Sequence, residues 1–332
     1  MNVLWKRITA AVLLLAGLAV LPASGSAGPA LVFDTRNGEI LHSHAAFTPW
    51  HPASLTKLMT AYVAFQAVRR GEIDLRSPVI LPDGAKTPAG EYLLEKGAVV
   101  DLGEALKIIL VASLNSVAEA IAETVAGSRS EFVAEMNAAA DRLGMTDTRY
   151  VNPHGLHDPG QVTTARDMAL LTRALIRDFP QYQDFFDIPS IRVGATVMPS
   201  YNKLIGRFDG TDGMKTGYVC ESGFNIVATA TRDGQRLAAI VLGGMTEDQR
   251  NEVTARLLES GFEDVGAYSL LPSGRPTING MQRSEATGSP VNMRPYVCGG
   301  RKLPADLASF GLREKSATAS DAPLPKANPL RQ

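Results

Sequence analysis

The stretch DGMKTGYVCESGFNIVATATRDGQRLAAIVL, residues 212–242, decides the fold. It holds three β-prone runs, at 214–219, 223–230 and 236–242, and Asp233-Gly234 between the last two is a strong two-residue hairpin signal. An amphipathic helix is expected directly after it, over 247–260. Working back toward the start, 30–34 and 39–43 form a second strand pair, joined through Asn37-Gly38. Between these two β regions the apolar residues recur at helical spacing, over 54–70, 102–112, 116–126, 131–143 and 164–177. Strands at both ends with helices between them predict an α+β fold. One antiparallel sheet is assembled from both ends of the domain and flanked by helices, with a helical subdomain.

Bulk composition narrows the classes. The chain has 332 residues, 45% apolar and 20% charged, with 33 basic against 34 acidic side chains. A core is affordable, and no basic excess exists to neutralise phosphates, so nucleic acid is excluded as a partner. Cys220 and Cys298 are too few and too far apart for a zinc site or a disulfide-scaffolded mini-domain. Lys6 and Arg7, the apolar run Ile8 to Leu21 and the small residues to Ala27 read as a secretory signal peptide, with an uncleaved anchor as the alternative. Export would permit a Cys220–Cys298 disulfide; two free thiols are the other possibility. Residues 28–262 form the expected folded domain. Residues 263–332 hold 8 of the 20 prolines and little periodicity, and are expected to be a largely unstructured extension.

Ser54-Leu55-Thr56-Lys57 sets a hydroxyl and an amine on one face of a helix start, where backbone N–H groups also favour an oxyanion. A lysine works as a base only if burial or a second cation lowers its pKa. The pattern is weak alone, since about one Ser-x-x-Lys arises by chance in a chain of this size. Ser200-Tyr201-Asn202-Lys203 is a second copy, in a stretch without helical periodicity, and reads as a surface turn. Ser113-Leu114-Asn115 lies between two helices, and Lys215-Thr216-Gly217 lies on a strand. Each is unremarkable alone; the ordered set Ser-x-x-Lys, Ser-x-Asn, Lys-Thr-Gly is not. His42 and His44 alternate on one strand face without an evident third ligand, and His154 and His157 read as loop scaffold. No Gly-x-Ser-x-Gly occurs.

With PASLTKLMT (52–60), VNPHGL (151–156), TTARDMALL (163–171) and DGMKTGY (212–218), the sequence resembles the low-molecular-weight penicillin-binding proteins, the D-alanyl-D-alanine carboxypeptidase family. The resemblance runs from about residue 29 to Phe262. It implies the penicillin-binding-protein/β-lactamase-like fold and a cofactor-free, exported serine peptidase of the periplasm or cell envelope. Such an enzyme trims peptidoglycan stem peptides and is acylated by β-lactam antibiotics. It implies Ser54 as nucleophile, Lys57 as general base and Ser113 as proton relay. Asn115, Lys215, Thr216 and Gly217 would hold substrate, and the backbone N–H groups of Ser54 and Tyr218 would form the oxyanion hole. Arg250, 35 residues after Lys215, resembles the arginine that family members keep for the substrate carboxylate. Leu114 stands where the family usually has Gly, and Tyr218 where Thr or His is more usual. The Pro-rich tail offers no counterpart to the β-rich second domain and membrane-binding helix of many members, which leaves membrane attachment open. The other readings are a D,D-endopeptidase, a β-lactamase, for which no Glu-x-x-Leu-Asn segment is found, and a non-catalytic wall-binding protein.

Overall fold

The computed structural model describes residues 28–86, 91–268, 274–283 and 288–304; the signal-peptide segment 1–27 lies outside them. The chain opens with β1 (Ala30–Asp34) and β2 (Ile40–His44), turned at Gly38, whose φ of +80° suits the glycine of an Asn-Gly turn. A 3-10 turn, Ala53–Leu55, leads into α1 (Thr56–Arg69). Four short strands follow, β3 (Pro78–Leu81), β4 (Ala85–Lys86), β5 (Tyr92–Leu94) and β6 (Ala98–Asp101). Next come α2 (Leu102–Val111), α3 (Asn115–Ala126), α4 (Arg129–Arg142) and α5 (Ala165–Asp178). The Thr164 hydroxyl caps α5 by accepting from Asp167 N–H at 3.1 Å. A hairpin of β7 (Ser190–Val193) and β8 (Thr196–Pro199) precedes β9 (Thr211–Val219), β10 (Gly223–Arg232) and β11 (Gln235–Gly244). The chain then forms α6 (Glu247–Tyr268) and, in the tail, α7 (Arg294–Val297).

The main sheet is five-stranded and antiparallel in the order β2-β1-β11-β10-β9, so it joins both ends of the domain as the sequence predicts. The inner strands β1, β10 and β11 are buried on both faces, which is why they read as nearly continuous apolar runs. Leu31, Phe33, Val227, Ala238, Ile240 and Leu242 face the helical lobe and the larger core. Ala30, Val32, Ile226, Ala228, Ala239 and Val241 face the opposite way, against Val253, Leu257 and Leu258 of α6. Among the described residues no helix is long and apolar enough to cross a membrane.

Two sequence expectations are corrected. The final helix runs past residue 260 to Tyr268, because Gly261 is a packing residue: a Cβ there would lie 3.0 Å from Leu237 Cδ1 and 3.3 Å from Val32 Cγ1. The boundary at residue 262 therefore cuts a helix. The expectation that 263–332 is largely unstructured also fails for its described parts. Ile40 N–H donates to Pro276 O and Ile278 N–H to Gly38 O, both at 2.9 Å, so this segment pairs with the chain where it enters β2. Further on, Cys298 is bonded to Cys220, Met293 is fully buried and Arg294 pairs with Glu221 at 2.5 Å. A few anchors, not periodicity, order this stretch.

The Cys220–Cys298 bond closes a separation of 78 residues. Denatured, unreduced protein should show no free thiol. Cys298→Ser should cost about 4 kcal/mol of stability by the loop-entropy relation, read from denaturant midpoints; an unchanged midpoint would mean that constraining the unfolded chain contributes nothing to stability.

Candidate active site

Three contacts hold the turn that carries Ser54. Trp50, fully buried, donates from its indole to Ser222 O at 2.9 Å and exchanges backbone bonds with Thr163. The Asn225 amide on β10 donates to His51 O at 3.0 Å and Pro52 O at 3.3 Å. Gly155, at φ +89°, lies so close that a Cβ there would stand 1.9 Å from Ala53 O. Ala53 itself has φ +48°, which lifts the following residue out of the helix path. Ser54 thus sits on a strained turn before α1, rather than in its first turn as the periodicity suggests.

Lys57, one helical turn on, is fully buried. Its Nζ lies 3.1 Å from Ser54 Oγ, 2.8 Å from Asn115 Oδ1 and 2.6 Å from His154 O. Burial, and then the charge of Lys215, push its pKa well below the ordinary lysine value. A neutral amine has two protons and one lone pair. With the protons directed to Asn115 and His154 O, the lone pair is left for the Ser54 hydroxyl. His154 O is a ligand that the sequence reading missed, because it treats this loop as scaffold. The loop is indeed built around side chains: Gly155 N–H donates to Asn152 Oδ1 at 2.7 Å, and Gln161 Nε2 donates to Asn152 Oδ1 and Thr56 Oγ1. The stretch at 151–156 was the only signal for it.

Across the cleft, Lys215 on edge strand β9 is 1% exposed and donates to Ser113 Oγ at 3.1 Å and Thr216 O at 2.8 Å. Burial, and then the Arg250 charge, push it down to about 7. Ser113 adopts φ +61° between α2 and α3, a left-handed conformation that a serine rarely takes and that turns the chain between the helices. Gly217 is required by close approach: a Cβ there would lie 2.9 Å from Pro52 O and 3.0 Å from Ser54 N. The β9 backbone therefore passes directly beside the nucleophile turn. Arg250 is 2% exposed, not the solvated helix charge that its acidic neighbours suggest. Its guanidinium donates to Asn251 Oδ1 at 2.8 Å and pairs with Glu247 at 3.3 Å, and burial pushes it down to about 10.

Ser54, Ser113, Asn115, Thr216, Gly217, Tyr218 and Arg250 line one cleft of about 830 Å³, and Lys57 and Lys215 lie buried beneath it. Every residue proposed from the sequence is gathered here. Ser200 and Lys203 are absent from the lining, and Lys203 pairs instead with Glu247 at 2.6 Å.

A hydroxyl hydrogen-bonded to a buried lysine amine, beside an edge strand carrying a second buried lysine, is an arrangement able to activate a serine, and it is set in an α+β penicillin-binding-protein fold. The D-alanyl-D-alanine carboxypeptidase family matches residues 18–246, and the chain belongs to it. D-alanyl-D-alanine carboxypeptidase DacC of Escherichia coli (strain K12) is 36% identical over 240 residues, 70% of this chain and 60% of that one. The chain thus spans only about 60% of the length of that relative. A D-alanyl-D-alanine endopeptidase of Pseudomonas aeruginosa is 31% identical over 277 residues, 80% of this chain and 86% of the relative. Among solved structures, ampicillin-bound penicillin-binding protein D2 of Listeria monocytogenes is similar at 32% identity and TM-score 0.64, covering 71% of this chain and 97% of that one.

Proposed function

We propose that the protein is an exported serine-type D-alanyl-D-alanine carboxypeptidase. It trims peptidoglycan stem peptides through a Ser54 acyl-enzyme and is inhibited by penicillins at the same serine. The observation that carries the proposal is the 3.1 Å approach of a desolvated Lys57 amine to Ser54 Oγ. Neutral Lys57 takes the hydroxyl proton as Oγ bonds to the carbonyl carbon of the penultimate D-alanine. The developing oxyanion is held by the N–H groups of Ser54 and Tyr218. When the C–N bond breaks, Ser113, with Lys215 beside it, gives its proton to the leaving amine and takes the one held by Lys57 in return, which leaves Lys57 neutral again. Water then attacks the ester, neutral Lys57 takes its proton, and the same proton passes to Ser54 Oγ as the acyl C–O bond breaks, so the hydroxyl and the free amine are both restored. Asn115 holds the peptide amide; Thr216 and Arg250 hold the terminal carboxylate. No metal or organic cofactor enters this scheme. The disulfide suits an oxidising compartment and supports the export reading.

Arg250 supplies the test of carboxypeptidase specificity. A desolvated carboxylate favours a charge-assisted, bidentate donor, and losing such a partner costs about 2–5 kcal/mol. Arg250→Ala should therefore cut kcat/KM on a free-acid D-Ala-D-Ala peptide by roughly thirtyfold to several-thousandfold, while the amidated analogue is spared. Equal losses on both peptides would remove Arg250 from the carboxylate site.

One observation favours a second reading. The endopeptidase relative matches this chain along 86% of its length, the carboxypeptidase DacC along only 60%. Cleavage of a cross-linked dimer faster than of the free pentapeptide would favour it.

A further inference from the structure

Side chains alternate along β9. Lys215 and Gly217 face Ser113 and Ser54, so Thr216 and Tyr218 face the other side of the strand. Phe224 of β10 pairs with Tyr218 in register, and Gly244 of β11 pairs with Phe224, which puts all three on that second side. A Cβ on Gly244 would lie 3.0 Å from Arg250 Cβ. Arg250, Thr216, Tyr218 and Phe224 therefore share one side of the cleft, and all four line it.

Tyr218 is 44% exposed yet held. Its ring stacks on Phe224 at 4.3 Å between centroids and 29° between planes. Its hydroxyl lies 3.3 Å from Cys298 Sγ and 3.8 Å from Cys220 Sγ, and the disulfide sulfurs can only accept. The segment carrying Cys298 is fixed in turn, by the Arg294–Glu221 pair and by Met293 N–H donating to Glu221 O at 2.9 Å. For the ring to swing aside it would have to leave Phe224 and the disulfide together.

We propose that Tyr218, pinned by the cross-linked C-terminal segment, is the wall that sets the size of the leaving residue. The site then accepts a short apolar D-residue such as D-alanine beside Arg250 and rejects bulkier ones. This rests on the carboxypeptidase reading and adds a specificity determinant to it; the side chain acts by occupying space, not by touching the reacting bond.

The test compares kcat/KM on two peptides that differ only in the last residue, acyl-D-Ala-D-Ala and acyl-D-Ala-D-Leu. The active fraction of each preparation is counted by covalent penicillin labelling, so partial misfolding cancels in the ratio. The parent should prefer D-Ala by about tenfold or more, the scale on which a pocket discriminates added methylenes. Tyr218→Ala should raise relative use of the D-Leu peptide about tenfold; Tyr218→Phe, which keeps the ring but loses its hydroxyl contact with the disulfide, and Cys298→Ser should each raise it about threefold. A parent that cleaves both peptides equally well, or a ratio unmoved by Tyr218→Ala, overturns the wall. A ratio moved by Tyr218→Ala but unmoved by Cys298→Ser overturns the pinning. A parent that cleaves neither peptide overturns the carboxypeptidase reading, and the wall with it.

Discussion

Ser54→Ala should abolish covalent labelling by a fluorescent penicillin, with the far-ultraviolet circular dichroism of the parent retained. The substitution removes only the attacking oxygen. The turn is held by Trp50, Asn225 and the Gly155 contact, none of which involves the serine side chain. Ser200→Ala should label at the parent rate, because its Lys203 is committed to Glu247 and neither residue lines the cleft. Mass spectrometry of the adduct reads the result. An adduct on Ser200, or any adduct on the Ser54→Ala protein, would sink the assignment.

Lys57→Ala should leave the hydroxyl without its base and slow acylation by about 10²-fold or more. The pH profile separates a base from a packing residue. Burial and the neighbouring Lys215 charge disfavour the Lys57 ammonium, so the amine loses its proton well below the ordinary lysine range. Only the neutral amine can accept the Ser54 proton. The parent acylation rate should therefore rise with pH through this depressed pKa and level off above it, and Lys57→Ala should lack that limb. A variant that is slow but keeps the limb would mean that another group takes the proton.

What the sequence made legible was whatever repeats along it. The β-prone runs and the Asp233-Gly234 turn yield β10 and β11, because burial on both faces leaves a continuous apolar run, and apolar spacing yields α1 to α5, because burial on one face leaves a period in the chain. The two-stranded pairings β3–β6, β4–β5 and β7–β8 leave no signal in the sequence. They are two to four residues long, and Ile80, Val99 and Val197 on them are exposed, so they leave little pattern. The residue types of the site could be named from three short motifs, but their electrostatic condition could not. Lys215 reads as an ordinary exposed edge-strand lysine until Ser113 and the cleft floor enclose it. Nor does anything local mark the backbone of His154 as a partner for Lys57, since a carbonyl is common to every residue. The tail escaped because its order depends on Ile278, Met293 and one cross-link, each a single contact with a distant part of the chain.

The pairing of β1 with β11, in which Ala30 meets Val241, has a consequence for when this chemistry can begin. A chain that emerges from its N-terminus presents Ser54 and Lys57 long before Lys215 exists. Until β9 packs beside the nucleophile turn, the Lys57 amine is wet and protonated and Ser54 is an ordinary alcohol. Contacts between such remote segments form late, since loop closure has to precede any gain from them. Reactivity is therefore an all-or-none attribute of the closed sheet, and an unfinished chain is chemically silent toward every acyl donor it meets. In a refolding experiment, penicillin reactivity should appear together with sheet closure and after the helical signal has recovered.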